Sequence, residues 1–183
     1  MPAISVLVPV YNALPFLEQC LNSIRNQSFT DFEVICLNDG STDASLETLN
    51  RFAQQDKRFV VIDKENEGYG KTLNRGLSKA QGEFISIIEP DDFIESTMFE
   101  DLYDFAQRSA NKGTVLDVIK CSYWEYFDST SDYNAPLVAS PALRWMMPQS
   151  PIVFSLEENQ NIICAHPSIW SAIYRRQFLS DNK

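Results

Sequence analysis

The chain has 183 residues, 44% of them hydrophobic and 12% aromatic, which excludes a disordered protein. Its net charge of -10 makes it a poor coat for a phosphate backbone, so no nucleic-acid partner is expected. No apolar run approaches the roughly 20 residues that span a bilayer, and Met1-Pro2-Ala3-Ile4 lacks the basic start of a signal peptide, so none is expected.

Ile4-Ser5-Val6-Leu7-Val8 is a nearly continuous apolar run, the pattern of a buried parallel strand, and it ends at the turn-forming Pro9-Val10-Tyr11-Asn12. Pro15 then sits near the first turn of a helix whose Leu17, Cys20, Leu21 and Ile24 share one face. Phe32 to Leu37 reads as a second strand, closed by Asn38-Asp39-Gly40-Ser41-Thr42-Asp43. A second helix carries Leu46, Leu49, Phe52 and Ala53, and Phe59 to Ile62 is a third strand. Glu65 to Gly70 is a flexible loop before a helix with Leu73, Leu77 and Ala80, and Gly82 suits that helix's C-terminal cap. Phe84 to Ile88 is a fourth strand, ended by Glu89-Pro90-Asp91-Asp92. Ser96 suits the cap of a helix with Phe99, Leu102, Phe105 and Ala106 inward, and Val115 to Ile119 is a fifth strand. Residues 128–151 read as irregular; Ser155 to Cys164 and Ser168 to Leu179 read as two short helices.

Strand–helix alternation over residues 1–120 predicts an α/β fold, a mostly parallel sheet with helices on both faces, while 121–183 is a less regular part. Cys20, Cys36, Cys121 and Cys164 show no CxxC spacing and read as reduced, packed thiols. With His166 the single histidine, any metal site must be built mainly from oxygens, which suits magnesium, manganese or calcium.

In an open parallel sheet ligands bind beyond the carboxyl ends of the strands, and polar loops follow strands one, two and four there. Three carboxylates in Glu89-Pro90-Asp91-Asp92 repel one another; they either cap a turn and helix start or hold a hard cation that bridges phosphates. Asp39-Gly40-Ser41-Thr42-Asp43 is either a turn with a helix cap or a loop whose Asp39 accepts hydrogen bonds from a base or ribose. Gly68-Tyr69-Gly70-Lys71-Thr72 fails as a Walker loop, because Glu65 stands where the first glycine belongs, and as GxGxxG, because Leu73 replaces the third glycine. It remains a glycine-rich helix start beside Lys71 and Arg75, attractive to anions.

Together these segments resemble the family 2 glycosyltransferases of the GT-A fold. Ser5 to Asn12 looks like that family's opening strand and loop, and Leu37 to Asp43 like its DDGSxD segment. Asn66-Glu67-Gly68, Asn74-Arg75-Gly76-Leu77 and Ala80 to Ile85 resemble its central helix and strand, and Glu89-Pro90-Asp91-Asp92 its DxDD-type metal motif. The resemblance covers roughly residues 4 to 105. It implies a nucleoside-diphosphate sugar donor, UDP-linked by preference, a divalent cation (manganese or magnesium) and transfer with inversion to a glycan or lipid-linked acceptor, with 121–183 on the acceptor side. Pro9, Tyr11 and Asn12 would line the nucleoside pocket, Asp39 would meet the base with Asp43 on the same loop, and Asn66 and Gly68 would join the nucleotide-binding set. Asp91 and Asp92 would face ribose, diphosphate and metal; Lys71 and Arg75 are added to these on electrostatic grounds, as diphosphate contacts. Such an enzyme works in the cytoplasm, with peripheral association at the inner face of the membrane left open.

The chain departs from that pattern in three places. Asn38 and Glu89 stand where aspartates are common. The acid that would take the acceptor's proton follows a helix resembling Ser168 to Leu179, and the chain stops at Lys183, so an N-terminal fragment lacking the base is expected; robust sugar transfer by this chain would refute that. Glu157-Glu158 reads as a solvated pair. His166 reads as a loop residue or as a late metal or diphosphate contact, and Trp124, Trp145 and Trp170 as packing residues or sugar-stacking ones. The alternatives are a nucleotidyltransferase, which would want a basic glycine-rich loop after strand one, and a nucleotide-sugar-binding module without transfer activity.

Overall fold

A computed structural model describes residues 1–125, 138–139, 153–159 and 168–182. The elements run β1 (Ile4–Val10), α1 (Leu14–Arg25), β2 (Phe32–Asp39), α2 (Ser45–Gln55), β3 (Phe59–Lys64), α3 (Tyr69–Lys79), β4 (Phe84–Ile87), α4 (Met98–Ala110) and β5 (Val118–Lys120). Then come β6 (Trp124–Glu125), β7 (Val138–Ala139), a 3-10 turn at Ile169–Ser171, β8 (Ala172–Arg175) and α5 (Arg176–Asp181). The main sheet has six strands in the order β3-β2-β1-β4-β8-β5; β3, β2, β1 and β4 are mutually parallel, and β8 is antiparallel to both its neighbours. The expected mostly parallel sheet is therefore present, and the short β6–β7 pair is antiparallel and separate.

Alternation along β1 decides the layers. Ile4, Val6, Val8 and Val10 pack with Leu17, Leu21 and Ile24 of α1, Leu49 and Phe52 of α2, and Phe99, Leu102 and Ala106 of α4. Leu7 points to the other face and joins Ile35, Leu37 and Ile85 under Leu73 and Leu77 of α3 and Leu179 of α5. Among the described residues Phe52 and Phe99 are the largest fully buried side chains, and truncating a buried phenylalanine of this kind to alanine costs about 3–5 kcal/mol.

Three sequence expectations are corrected. Ser168 to Leu179 is not one helix: Ala172–Arg175 forms a strand that pairs Ile85 with Tyr174 and Ser86 with Ile173 on one side, and Ile119 with Ile173 on the other. The unpaired ladder of β4 and β5 takes up this segment, and strand pairing overrides its helical spacing. Gly82 is not the cap of α3, whose C-cap is Ala80; a Cβ on Gly82 would stand 2.5 Å from the Ser5 backbone nitrogen, so only glycine lets β4 start this close to β1. Helix α4 starts at Met98 with Thr97, not Ser96, at its N-cap. In the Ser155–Cys164 segment, residues 156–158 form a turn, with Ser155 N–H donating to Glu158 at 2.6 Å and Glu158 N–H to Ser155 Oγ at 3.3 Å. Residues 160–167, which include Cys164 and His166, lie outside the described residues, as do Trp145 and all of 128–151 except Val138–Ala139.

Candidate functional site

Because β1, β2 and β4 are parallel, the loops that follow them leave the sheet at one edge. Val10 lies beside Asn38 and Leu7 beside Ile87, so Tyr11-Asn12, Asp39 to Asp43 and Glu89 to Asp92 share that rim. Asn12 joins the first two loops. It holds a positive φ of 50°, a conformation asparagine tolerates better than most residues. Its Oδ1 accepts the Thr42 N–H at 2.7 Å and the Asp43 N–H at 3.4 Å, and its own N–H donates to Ser41 Oγ at 3.1 Å. Tyr11 beside it is exposed, whereas Pro9 is buried within β1.

Asp43 works between two helix starts. Its Oδ1 accepts the Ser45 N–H at 3.0 Å and its Oδ2 the Leu14 N–H at 3.2 Å, which satisfies orphan donors of α2 and α1. Ser45 Oγ accepts the Ala13 N–H at 3.1 Å. Burial raises the Asp43 pKa, but the hydrogen bonds from Ser45 and Leu14 outweigh it and leave the carboxyl below its ordinary value.

Asp39 joins β2 to the loop before α3. Its carboxylate forms an ion pair with Lys64 and accepts the N–H of Glu67 at 2.8 Å and of Gly68 at 3.0 Å. Burial opposes its charge, yet Lys64 and the Glu67 N–H hold its pKa below the usual carboxylate range. Thr72, fully buried on the first turn of α3, lies near enough to lower it further, although its hydroxyl makes no hydrogen bond of standard geometry. Gly40, at φ 71°, lets Asn66 pass: a Cβ there would stand 2.8 Å from the Asn66 nitrogen. Asn38, buried beside Asp39, donates its amide to Asp63 at 2.7 Å. An aspartate at position 38 would instead set two carboxylates against each other.

The acidic loop turns back on itself, with the Asp92 N–H on the Glu89 carbonyl at 3.0 Å and the Cys20 thiol donating to that carbonyl at 3.4 Å. Burial, then the neighbouring Asp91 and Glu89 charges, push Asp92 up to about 6. Burial and then Glu89 raise the phenol of Tyr69, the first residue of α3. Cys36 is pushed up to about 12 by burial, so it is an inert core thiol. Among the described residues no three acidic, histidine or cysteine side chains gather as a ready metal cage.

The structure thus brings Asn12 to Asp43, Asp39 to Gly68 and Asp91 to Asp92. Lys71 and Arg75 lie exposed on α3, Arg75 within 3.7 Å of Glu67, and His166 lies outside the described residues. The sequence reading missed Lys64, Glu67 and Ser45; a lysine ending the mostly apolar strand Phe59–Lys64 was the available signal for the first.

The sequence pattern of Glycosyl transferase family 2 matches residues 5–181. The EpsH protein of Bacillus subtilis (strain 168) is 41% identical over 129 residues, covering 70% of this chain and 36% of EpsH. S. aureus TarS 1–349 in complex with UDP superposes with a TM-score of 0.72 at 26% identity, covering 100% of this chain and 49% of that one. Its complex with UDP-GlcNAc gives 0.70 at 28%, covering 100% and 47%. The chain therefore spans half or less of the length of these relatives. Ordered motifs, a β3-β2-β1-β4 parallel core with its polar loops on one rim, and a match over nearly the whole chain agree: this chain belongs to glycosyl transferase family 2 and has the GT-A fold.

Proposed function

We propose that the chain forms the donor-binding part of a glycosyltransferase that takes a UDP-sugar and passes the sugar, with inversion, to a glycan or lipid-linked acceptor. The observation that carries this is the stitched rim, where Asn12 and Asp39 tie three loops into one preorganised edge, the same edge from which the acidic loop leaves β4. TarS, at 26% and 28% identity, has been captured with UDP and UDP-GlcNAc. In this reading Pro9, Tyr11 and Asn12 shape the nucleoside pocket, and Asp39 accepts a donor from the base. Asp43, Asn66 and Gly68 hold that pocket's walls, Asp91 meets ribose or diphosphate, and Lys71 and Arg75 lie within reach of phosphate charge.

The acidic loop fits a hard divalent cation, manganese or magnesium, because Glu89, Asp91 and Asp92 offer hard carboxylate oxygens on one short loop, and burial, then the Asp91 and Glu89 charges, raise Asp92 to about 6 when no cation offsets them. Asp91 and Asp92 would hold it, and when bound it would neutralise charge on the departing diphosphate. The protein works in the cytoplasm, at the inner face of the membrane when its acceptor is lipid-linked; no helix among the described residues is long and apolar enough to cross a membrane. Calorimetry of UDP, GDP and several UDP-sugars, with and without manganese, tests the reading. UDP-sugars are expected to bind and manganese to strengthen them; absence of nucleotide binding in both conditions would overturn it.

A further inference from the structure

Asp39 and Lys64 are register partners at the ends of β2 and β3. A carboxylate offers about four lone-pair sites. On Asp39, Oδ1 receives the Lys64 ammonium and the Glu67 N–H, and Oδ2 receives the Gly68 N–H. Thr72 does not take the fourth, since its hydroxyl has no partner in hydrogen-bond geometry. Lys64 is sealed in place: its side chain is 3% exposed, it pairs with Glu67 at 3.3 Å, and it donates to the Glu65 carbonyl at 3.1 Å. The Asp39 side chain keeps 7% exposure. Among the described residues, hydrogen bonds of standard geometry therefore fill Oδ1 and leave one acceptor position on Oδ2.

We infer that Lys64 is a specificity-determining residue that makes Asp39 a single acceptor and so selects the base of the nucleotide donor. This rests on the reading above, in which Asp39 faces the base. Uracil presents one N–H between two carbonyls and needs one acceptor. Guanine presents adjacent N1–H and 2-amino donors and asks for both carboxylate oxygens; its second donor finds Oδ1 occupied and is buried unmatched, the kind of mismatch that discriminates strongly.

The test is calorimetry of UDP, GDP and inosine diphosphate on the wild type, Lys64→Met and Lys64→Arg. Inosine diphosphate keeps the purine and N1–H but lacks the 2-amino group, so it separates donor count from base size. The wild type is expected to prefer UDP and to bind inosine diphosphate about tenfold tighter than GDP, the worth of one mismatched hydrogen bond. Lys64→Met frees a site on Oδ1 and is expected to shrink both preferences about tenfold, while Lys64→Arg, which still donates to Oδ1, keeps them. A purely structural role for Lys64 would weaken all three nucleotides together and leave the ratios alone. Unchanged ratios in Lys64→Met overturn the inference. If that variant does not fold, equal wild-type binding of GDP and inosine diphosphate overturns it instead. A wild type that binds no nucleotide sinks the donor-site reading itself, which is a different outcome.

Discussion

Asn12 Oδ1 accepts the Thr42 N–H at 2.7 Å across 30 residues of chain, so one amide side chain fixes the loop after β1 against the loop after β2. The same oxygen also reaches the Thr42 hydroxyl at 3.3 Å. No other side chain type combines this acceptor geometry with tolerance of a left-handed backbone as readily, aspartate excepted.

Asn12→Ala removes those acceptors and leaves an alanine at φ 50°. A loss of about 1–2 kcal/mol in stability is expected, together with UDP affinity weakened about tenfold as the two loops separate. Urea unfolding and calorimetry on the same preparation check both. An unchanged unfolding midpoint would show that the loops are held by other contacts.

Asp39→Asn leaves the Lys64 ammonium, 3% exposed, with only the half-exposed Glu67 carboxylate at 3.3 Å as counter-charge. About 3 kcal/mol of destabilisation is expected at neutral pH. The folded pKa of Asp39 is lowered despite burial, through Lys64 and the Glu67 N–H. Its stabilising contribution is thus present above the unfolded value of about 4 and is lost as pH falls through the folded one. Denaturant titrations of both proteins should show a wide gap at pH 7 that narrows on acidification below pH ~4. A gap independent of pH would mean that charge is not what Asp39 contributes.

Asp92 has the opposite sign. Burial, Asp91 and Glu89 raise it to about 6, so its favourable contribution is complete below about pH 4 and is lost as pH rises through the folded value. Asp92→Asn, neutral at every pH, should melt above the wild type at pH 7–8 without added metal, with the difference closing toward pH ~4. Thermal melts across this range decide it; a variant that melts lower throughout would show that Asp92 is held by favourable contacts instead of crowded by like charge.

Gly82→Ala forces a methyl to within 2.5 Å of the Ser5 nitrogen and 2.8 Å of the Ile4 carbonyl carbon, both backbone. A cost of about 1–3 kcal/mol is expected. The site lies at the start of β4, the opposite edge from the rim, so UDP affinity of the folded fraction should match the wild type. Chemical denaturation reads the first effect and calorimetry below the transition the second; a weakened nucleotide site would show that strain crosses the sheet.

Much of the architecture is already in the residue order. Apolar runs at Ile4–Val8 and Phe84–Ile87 are too short for buried helices and too continuous for half-exposed strands, and the stripes of α1 to α4 repeat at helical spacing. Parallel strands joined by helices must release their following loops at one edge, so the shared rim of Asn12, Asp39 and Asp91-Asp92 follows from alternation alone. The family likeness rests on the same local motifs.

Long-range pairing is what only the folded chain decides. Ile173 finds Ser86 and Ile119 because β4 and β5 leave an unfilled ladder between them, a vacancy that no window around residue 173 records. Lys64 meets Asp39 because β2 and β3 align with that register, which turns an apparently free carboxylate into one with a single open acceptor. Gly82 looks like a helix cap until the Ser5 backbone beside it is known. Local spacing reports the energy of a segment with itself, whereas strand partners, ion pairs and close backbone approaches are settled by free energy shared between segments distant in the chain.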